Sequence, residues 1–519
     1  MAESANDRWW LDLELAPPGL QDNTADADRL LAALRALLDS DAVGLDLALA
    51  RRLPERLRRW GYRARCCLAR DRTRWVLTEV RDPEAERPLP ALAIDLGTTR
   101  IALQLVDLRD GSSLGQAVFD NPQGAVAPDV LARIHAAGRP GGLERLQRLV
   151  CGGLAERSAA LCRDAGLQPD EVVLGAVAGN TTMGHLLLGL EPRWLIREPY
   201  IPASNTPGLV PAAALDLGWA PGARVFIFPN VGAYFGGDLI AGILCAGLDE
   251  RDEPGILVDV GTNAEVVLGN RDWLIGCAGA AGPALEAGVA AIGMPAGDGV
   301  IERVRLGAGG ALELDVIGGG APVGICGSGL IDLAAALFRS GRIDLRGQLV
   351  PAACGGRCRQ GEAGPELVLV PAAESASGED LVLDQRSLTS LKKAKAAMFT
   401  ILETLCAAVA MTPEQLAAFY VGGTFGSVID PESAITIGML PDLPRDRYRV
   451  LGNSSLGGAL HLLRHASAIE RIHAIRDRIT YLELNVNQDF MIRFSGAQFF
   501  PHTDPSRFPS VPPPARPDA

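Results

Sequence analysis

ALAIDLGTTRIALQLVD, residues 91–107, is an apolar strand that stops at a carboxylate, a glycine and two hydroxyls and then resumes as a strand. Apolar patterning on both sides reads as a β-hairpin. Its tip, with Asp95, Gly97, Thr98 and Thr99, has the residue types of a phosphate loop. Glycine lets backbone approach a ligand, and N–H groups and threonine hydroxyls donate to phosphate oxygens. A carboxylate repels phosphate, so Asp95 reads as a holder of Mg²⁺ through water, or as a group that orients a nucleophilic water. Taken alone, the stretch is equally an ordinary Asx turn.

The form recurs in GILVDVGTNAEVVLG, residues 255–269, where Asp259, Gly261, Thr262 and Asn263 occupy the tip. Two matching hairpins a domain's length apart predict a duplicated fold and move the reading to nucleotide binding. Two further glycine-rich stretches fit it. AAFYVGGTFGSVID (417–430) ends a strand at Gly422 and Gly423, and ICGSGLIDLAAALF (325–338) sets Gly327, Ser328 and Gly329 at the head of an apolar helix. Such turns lie flat against adenine or ribose, or else serve helix capping and close packing.

The rest of the chain bounds the answer. At 519 residues it exceeds a single core. Apolar residues make up 48%, and the net charge of −13 argues against a nucleic-acid partner. The most apolar window, residues 172–190, holds Asn180, Thr181, Thr182 and His185 and does not read as a membrane span. MAESANDRWW lacks a basic-then-apolar leader pattern, so a cytoplasmic location is expected. Ten cysteines in such a length do not form a disulfide framework.

Residues 1–85 read as a small α+β unit. It has a helical pattern at 24–38 capped by Thr24 or Asp26, a second at 44–60 broken by Pro54, and two strands in YRARCCLA and TRWVLTEV. A Pro-rich linker follows at 86–90, then a first lobe at 91–254 and a second at 255–500. The tail, 501–519, is Pro-rich, and its end, FPSVPPPARPDA (508–519), is expected to be disordered.

The four glycine-rich stretches resemble the superfamily of acetate and sugar kinases, actin and heat-shock chaperones. The resemblance implies an α/β chain of duplicated ribonuclease-H-like, actin-like ATPase domains that close over ATP and Mg²⁺. It makes Asp95 and Asp259 catalytic and 97–99, 261–263, 327–329 and 422–423 nucleotide-binding. AVAGNTTMGHLLLGLEP (176–192), CAGAAGPALEAGVAAIGMPAGDGVIERV (277–304), VGICGSGLID (323–332) and FMIRFSGAQFFPHTD (490–504) narrow it. They resemble the ATP-dependent reductive activators of corrinoid proteins, and residues 26–62 look like that family's small middle domain. The resemblance implies reduction of a cobalt(II) corrinoid to cobalt(I) in a methyl-transfer pathway, a corrinoid (cobalamin-binding) protein as partner, and a dimer. A small-molecule kinase and a non-redox, ATP-gated binding protein are the alternatives.

Members of that family carry an iron–sulfur domain ahead of the middle domain, commonly [2Fe–2S], which needs C-x₄-C-x₂-C and a distant fourth cysteine. That run is missing here, and Cys66-Cys67 is an adjacent pair on a strand. The expectation is a ferredoxin-like donor in trans and no cluster in this chain. Cys354 and Cys358, in the Gly-rich and expectedly exposed ACGGRCRQG (353–361), are the weak candidates for a [4Fe–4S] cluster bridging two chains; free cysteines are preferred. Cys245, Cys277, Cys326 and Cys406 read as packed thiols.

Asn180 and Thr181 cap a helix or line the cleft; the resemblance favours the cleft. Glu286, in GPALEAG, is a Mg²⁺ or water ligand or an exposed helix residue. His185 reads as a satisfied core histidine, and His461, His465 and His473 show no metal-ligand grouping. The expected mechanism is conformational: ATP biases an equilibrium by its differential affinity for a closed form, and hydrolysis resets it.

Overall fold

The computed structural model describes residues 7–260, 264–279, 290–362, 364–423, 429–484 and 488–515. The chain divides into two compact units, Met1–Gly247 with Ser454–Arg478, and Leu248–Asn453 with Ile479–Ala519.

The first unit opens with four short strands, β1 (Trp10–Glu14), β2 (Val43–Leu45), β3 (Arg63–Arg70) and β4 (Trp75–Arg81), in the order β1-β3-β4-β2. The helix Asp26–Leu38 turns Leu30, Leu34 and Leu38 inward; its N-cap is Ala25, with no side-chain cap, rather than Thr24 or Asp26. The helical pattern at 44–60 is broken as expected, between the helices Leu47–Ala50 and Leu53–Arg59, and Pro54 sits just past the break. It stands in the first turn of Leu53–Arg59, where its missing N–H costs nothing.

The larger sheet of this unit holds β5 (Pro90–Leu96), β6 (Arg100–Asp107), β7 (Ser113–Asp120), β8 (Leu174–Gly179), β9 (Gly208–Pro211) and β10 (Arg224–Ile227). Their order is β7-β6-β5-β8-β10-β9. β5, β6 and β7 form an antiparallel meander, whereas β8 pairs parallel with β5 and β10 with β8.

The second unit repeats this plan. It holds β11 (Gly255–Val260), β12 (Ala264–Gly269) and β13 (Leu274–Gly279), then two three-stranded inserts. The inserts are β14 (Val300–Leu306), β15 (Leu312–Val316) and β16 (Gly324–Ile325), and β17 (Cys358–Gly361), β18 (Gly364–Val370) and β19 (Leu381–Asp384). β20 (Ala418–Gly422), β21 (Tyr448–Gly452) and β22 (Ile479–Tyr481) complete the main sheet, ordered β21-β20-β11-β12-β13-β22. Again the hairpin and its third strand are antiparallel, and β20 and β21 add in parallel. Five strands correspond in order and direction, β7-β6-β5-β8-β10 with β13-β12-β11-β20-β21, while the sixth, β9 in one sheet and β22 in the other, is added at opposite edges; the shared five-stranded core is the duplicated, actin-like ATPase fold.

Two segments depart from the sequence reading. Residues 454–478, read there within the second lobe, pack in the first unit. On the helix Ser454–Arg464, a Cβ at Gly458 would lie 2.1 Å from the Ala241 carbonyl oxygen, and one at Gly457 would lie 2.5 Å from Cys245 Sγ. The glycines let this helix lie directly on the helix Gly237–Ala246. The tail, its end expected to be disordered, is a fixed strap through Ala515. Phe500 and Phe508 are buried, Ser510 N–H donates to Asp442 Oδ2 at 2.7 Å, and Ala515 N–H donates to the Arg339 carbonyl at 3.2 Å. Lys395, fully buried, donates to the carbonyls of Phe499 and Pro501.

Candidate nucleotide site

In the first unit β5 delivers Asp95, half-buried, beside Ala178 of β8. The chain then turns tightly: a Cβ at Gly97 would stand 2.2 Å from the Arg100 carbonyl oxygen, so no side chain fits. The tip is clamped from two sides. Asn121 Nδ2 donates to the Gly97 carbonyl at 2.9 Å, and Asn121 N–H to the Thr99 carbonyl at 2.7 Å. On the other side Asn180 Nδ2 donates to Thr98 Oγ1 at 3.0 Å.

Asn180 does two jobs. Its Oδ1 accepts the Met183 N–H at 2.9 Å, capping the helix Thr181–Leu188, while its amide group holds the hairpin tip. Of the two roles the sequence left open, the structure shows the cap, and it adds the contact with the hairpin tip. Thr181 Oγ1 donates to the Gly232 carbonyl at 3.2 Å, and Thr181 itself is buried.

His185 is satisfied at both ring nitrogens. Nδ1 lies 2.7 Å from the Thr181 carbonyl oxygen, and Nε2 accepts the Ala203 N–H at 3.0 Å. The ring is therefore neutral with its proton on Nδ1, and burial holds its pKa below the ordinary value.

Sequence reasoning missed part of this site. Asn121 was passed over, as was the Gly236-Gly237-Asp238 turn that opens the helix Gly237–Ala246. A Cβ at Gly236 would fall 2.4 Å from Asn180 Cα, and one at Gly179 2.8 Å from the Leu96 carbonyl oxygen. The ends of β5 and β8 and the Gly236–Asp238 turn thus meet at glycine-level closeness. The available signal was a Gly-Gly-Asp directly ahead of an apolar helix.

In the second unit Asp259, also half-buried, lies at the end of β11 between Gly422 of β20 and Glu265 of β12. Glu265 is a second missed residue: the first hairpin has Ala102 facing Asp95, the second has a carboxylate facing a carboxylate. Like charges directly opposite repel unless a cation or proton intervenes. Gly422 ends β20 and Gly423 follows with φ of 83°, in the left-handed region open to glycine.

Gly327 stands at the head of the helix Gly327–Arg339, half-buried. Ser328 and Gly329 turn into the protein. Ser328 Oγ donates to the Glu302 carbonyl at 3.2 Å, and a Cβ at Gly329 would meet the Ile301 carbonyl oxygen at 2.7 Å. Gly261, Thr262, Asn263 and Glu286 lie outside the described residues.

The cysteine loop is exposed at Gly355, Gly356, Arg357, Arg359 and Gln360, as expected, but its first cysteine is not. Cys354 is buried, donates to the Val350 carbonyl at 3.3 Å and has its thiol pushed up to about 11, first by burial and then by Cys358. Cys358 is half-buried. Cys354 turns inward at the end of the helical turn Pro351–Cys354, while Gly355–Arg357 stay exposed. Cys277, Cys326 and Cys406 are buried and Cys245 half-buried. Among the described residues no three His, Cys, Asp or Glu side chains group as metal ligands, and no helix is long and apolar enough to cross a membrane.

Paired Asp-bearing hairpins on duplicated sheets define an actin-like ATPase. Comparison with known proteins places it further. Residues 253–512 match the C-terminal domain of RACo, the ASKHA domain; residues 90–251 match the RACo middle region and residues 9–86 the RACo linker region. The chain belongs to the RACo family. The small N-terminal unit, likened above to the family's middle domain, corresponds to its linker region. The corrinoid activation enzyme RamQ of Eubacterium limosum is 31% identical over 416 residues, covering 79% of this chain and 70% of that protein. The [Co(II) methylated amine-specific corrinoid protein] reductase of Methanosarcina barkeri is 25% identical over 278 residues, 50% of this chain and 47% of that protein. A solved reductive activator for corrinoid, iron–sulfur protein superimposes with a TM-score of 0.84 at 38% identity, covering 97% of this chain and 81% of that one.

Proposed function

We propose that the protein is an ATP-dependent reductive activator of a corrinoid protein, returning cobalt(II) to cobalt(I) in a methyl-transfer pathway. The observation that carries the reading is the likeness to the solved reductive activator, which runs over 97% of the chain. Electrons come from a ferredoxin-like donor in trans, the chain carries no cluster of its own, and it works in the cytoplasm as a homodimer. The inward-facing Cys354 supports the cluster-free reading, since a shared cluster needs both thiolates at the surface.

ATP suits the residues present. Gly97 offers backbone with no side chain, Thr98 and Thr99 offer hydroxyls, and the Asn121 and Asn180 clamps fix the tip before a ligand arrives. Each unit has carboxylates suited to Mg²⁺: Asp95 in the first, and Asp259 with Glu265 in the second, where Glu286 is a further candidate from the sequence pattern. When bound, Mg²⁺ neutralises phosphate oxygens and helps orient the attacking water. The chain's own part is positioning: strand ends hold the carboxylates, and the capped helix Thr181–Leu188 ties the tip to the loops beyond it.

The test is anaerobic. The protein is mixed with a cobalt(II) corrinoid protein, a low-potential reductant and ATP, and the cobalt(I) spectrum is followed. Cobalt(I) formation that requires ATP supports the reading. ATP turnover with no effect on cobalt, but with phosphorylation of a small acceptor, returns the kinase alternative.

A further inference from the structure

The turn that joins Pro351–Cys354 to β17 brings together two thiols that the nucleotide site does not use. Arg357 N–H donates to the Cys354 carbonyl at 3.1 Å and closes the turn. Gly355, with φ of 57° and ψ of 39°, and Gly356, with φ of 81°, stand at its centre in the left-handed region. A turn closed in this way holds its first and fourth α-carbons within about 7 Å of each other. Cys358 comes next, opens β17 and pairs with Leu367 of β18. Residues directly opposite in an antiparallel pair send their side chains to the same face. Leu367 is buried in the core, so Cys358 faces the same core, in which Cys354 is also packed.

The two thiols differ in access. Cys354 is buried and Cys358 half-buried, so Cys358 is the one that a reagent in solution reaches. Stepwise oxidation needs that division: an outer thiol that reacts first and an inner one that resolves. Burial raises the Cys354 pKa most, followed by the charge of a Cys358 thiolate and a hydrogen bond with Cys358, while the Arg342 guanidinium acts the other way. Once Cys358 is held in a disulfide it carries no charge, and that second influence on Cys354 is gone. The Val350 carbonyl, to which the Cys354 thiol donates at 3.3 Å, also accepts the Ala353 N–H at 2.9 Å, so it keeps a partner when the thiol proton leaves. The adjacent pair Cys66 and Cys67 lacks such an arrangement, because both are fully buried.

We propose that Cys354 and Cys358 form a reversible dithiol–disulfide couple, a modification site that small-molecule disulfides of the glutathione class oxidise. The Cys358 thiolate attacks one sulfur of the oxidant RSSR, breaks its S–S bond and forms a mixed disulfide with release of RS⁻. The Cys354 thiolate then attacks Cys358 Sγ, forms the Cys354–Cys358 bond and releases the second RS⁻. Two protein thiols are oxidised, one RSSR is reduced to two thiols, and the two thiol protons pass to the released thiolates. The closed loop is short, so the bond constrains the unfolded chain little and is readily reduced again, as a reversible site requires. This chemistry belongs to the insert of the second unit and is separate from ATP and corrinoid.

The test uses the full chain, reduced, freed of reductant and held anaerobically with glutathione disulfide, then quenched in acid and digested with trypsin without reduction. Trypsin cuts after Arg346, Arg357 and Arg359 and so separates Cys354 from Cys358. The expected product in mass spectrometry is residues 347–357 joined by a disulfide to residues 358–359, and dithiothreitol should part them. Cys354→Ser should stop at the glutathione adduct of Cys358, and Cys358→Ser should leave Cys354 unmodified, with circular dichroism showing that each is folded. If either variant unfolds, the wild-type peptide map decides alone. A wild type that keeps glutathione on Cys358 without closing the bond, or leaves both thiols free, overturns the proposal. Linkage found only between chains, seen as a dimer on a non-reducing gel, overturns it too.

Discussion

Asn180 is where stability and nucleotide binding can be separated. Its Oδ1 caps the helix Thr181–Leu188 and its Nδ2 holds Thr98. Asn180→Ala removes both. The lost cap costs about 1 kcal/mol. The lost hydrogen bond to Thr98 adds about another 1 kcal/mol. For a unit of this size that total of about 2 kcal/mol lowers the midpoint of its transition by roughly 4–8 °C. Asn180→Asp keeps the cap, since a carboxylate accepts the Met183 N–H and suits the positive end of the helix. It exchanges the amide donor for an acceptor to which the Thr98 hydroxyl can itself donate, and the expected shift is under about 3 °C. The two variants should part in stability but agree in binding. Asn180→Ala loosens the hairpin tip, which Asn121 still holds from the other side, and Asn180→Asp turns the Thr98 hydroxyl inward and brings a negative charge beside the tip, so ATP affinity should fall about tenfold or more in each. Calorimetric unfolding measures the first quantity, and titration with a fluorescent ATP analogue the second. If both variants bind ATP as wild type does, the contact between Asn180 and Thr98 does not hold the phosphate loop, and the site assignment in this unit fails.

Asp259→Asn should cut ATP hydrolysis about a hundredfold while leaving the unfolding midpoint unchanged or raised, because it relieves a carboxylate facing Glu265; phosphate release and circular dichroism check both halves. For acid stability, His185 has a folded pKa below its ordinary 6.5 because it is buried. The unfolded chain takes up the proton first, so stability is flat above pH 6.5 and falls below it, by at most ~1.4 kcal/mol per pH unit from this residue. Denaturant midpoints between pH 7.5 and 5.5 should show that decline, and His185→Asn should flatten it; an unchanged slope in the variant removes His185 as a contributor. Lys395→Ala leaves a cavity and two unpaired carbonyls under the strap, a loss of about 3–5 kcal/mol, and limited proteolysis should then cut within residues 499–515. Anaerobic reconstitution with iron and sulfide should load no stoichiometric iron; about two irons per chain, lost on changing Cys354 and Cys358 to Ser, would point to a cluster shared by two chains.

The features legible in the sequence were those whose physics is local. A strand, a carboxylate, a glycine with no room for Cβ and a second strand make a hairpin from about fifteen consecutive residues, and Asp95 and Asp259 stand at the ends of β5 and β11 as that pattern implies. The matching order of five strands in the two sheets follows from finding the pattern twice. What escaped depends on partners far along the chain. Asn121 looks like any turn asparagine until β6 and β7 pair and bring it under Gly97. Gly236 reads as a helix start until β8 ends against it. Gly457 and Gly458 look like weak points in a helix, and their worth appears only when Ala241 and Cys245 lie against them.

The tail failed for a related reason. Proline content reads as disorder when no core is in view, yet proline also stiffens a segment and lowers the entropy lost when a few apolar residues find pockets. Phe508 and, just ahead of the tail, Phe500 are those residues, and Gly347 is the counterpart of Phe500 on the body: a Cβ there would fall 2.6 Å from the Phe500 ring. A strap of this kind is specified jointly by the segment and by glycines placed to receive it. Its sequence signal is therefore a pair of aromatic residues among prolines matched by glycines elsewhere.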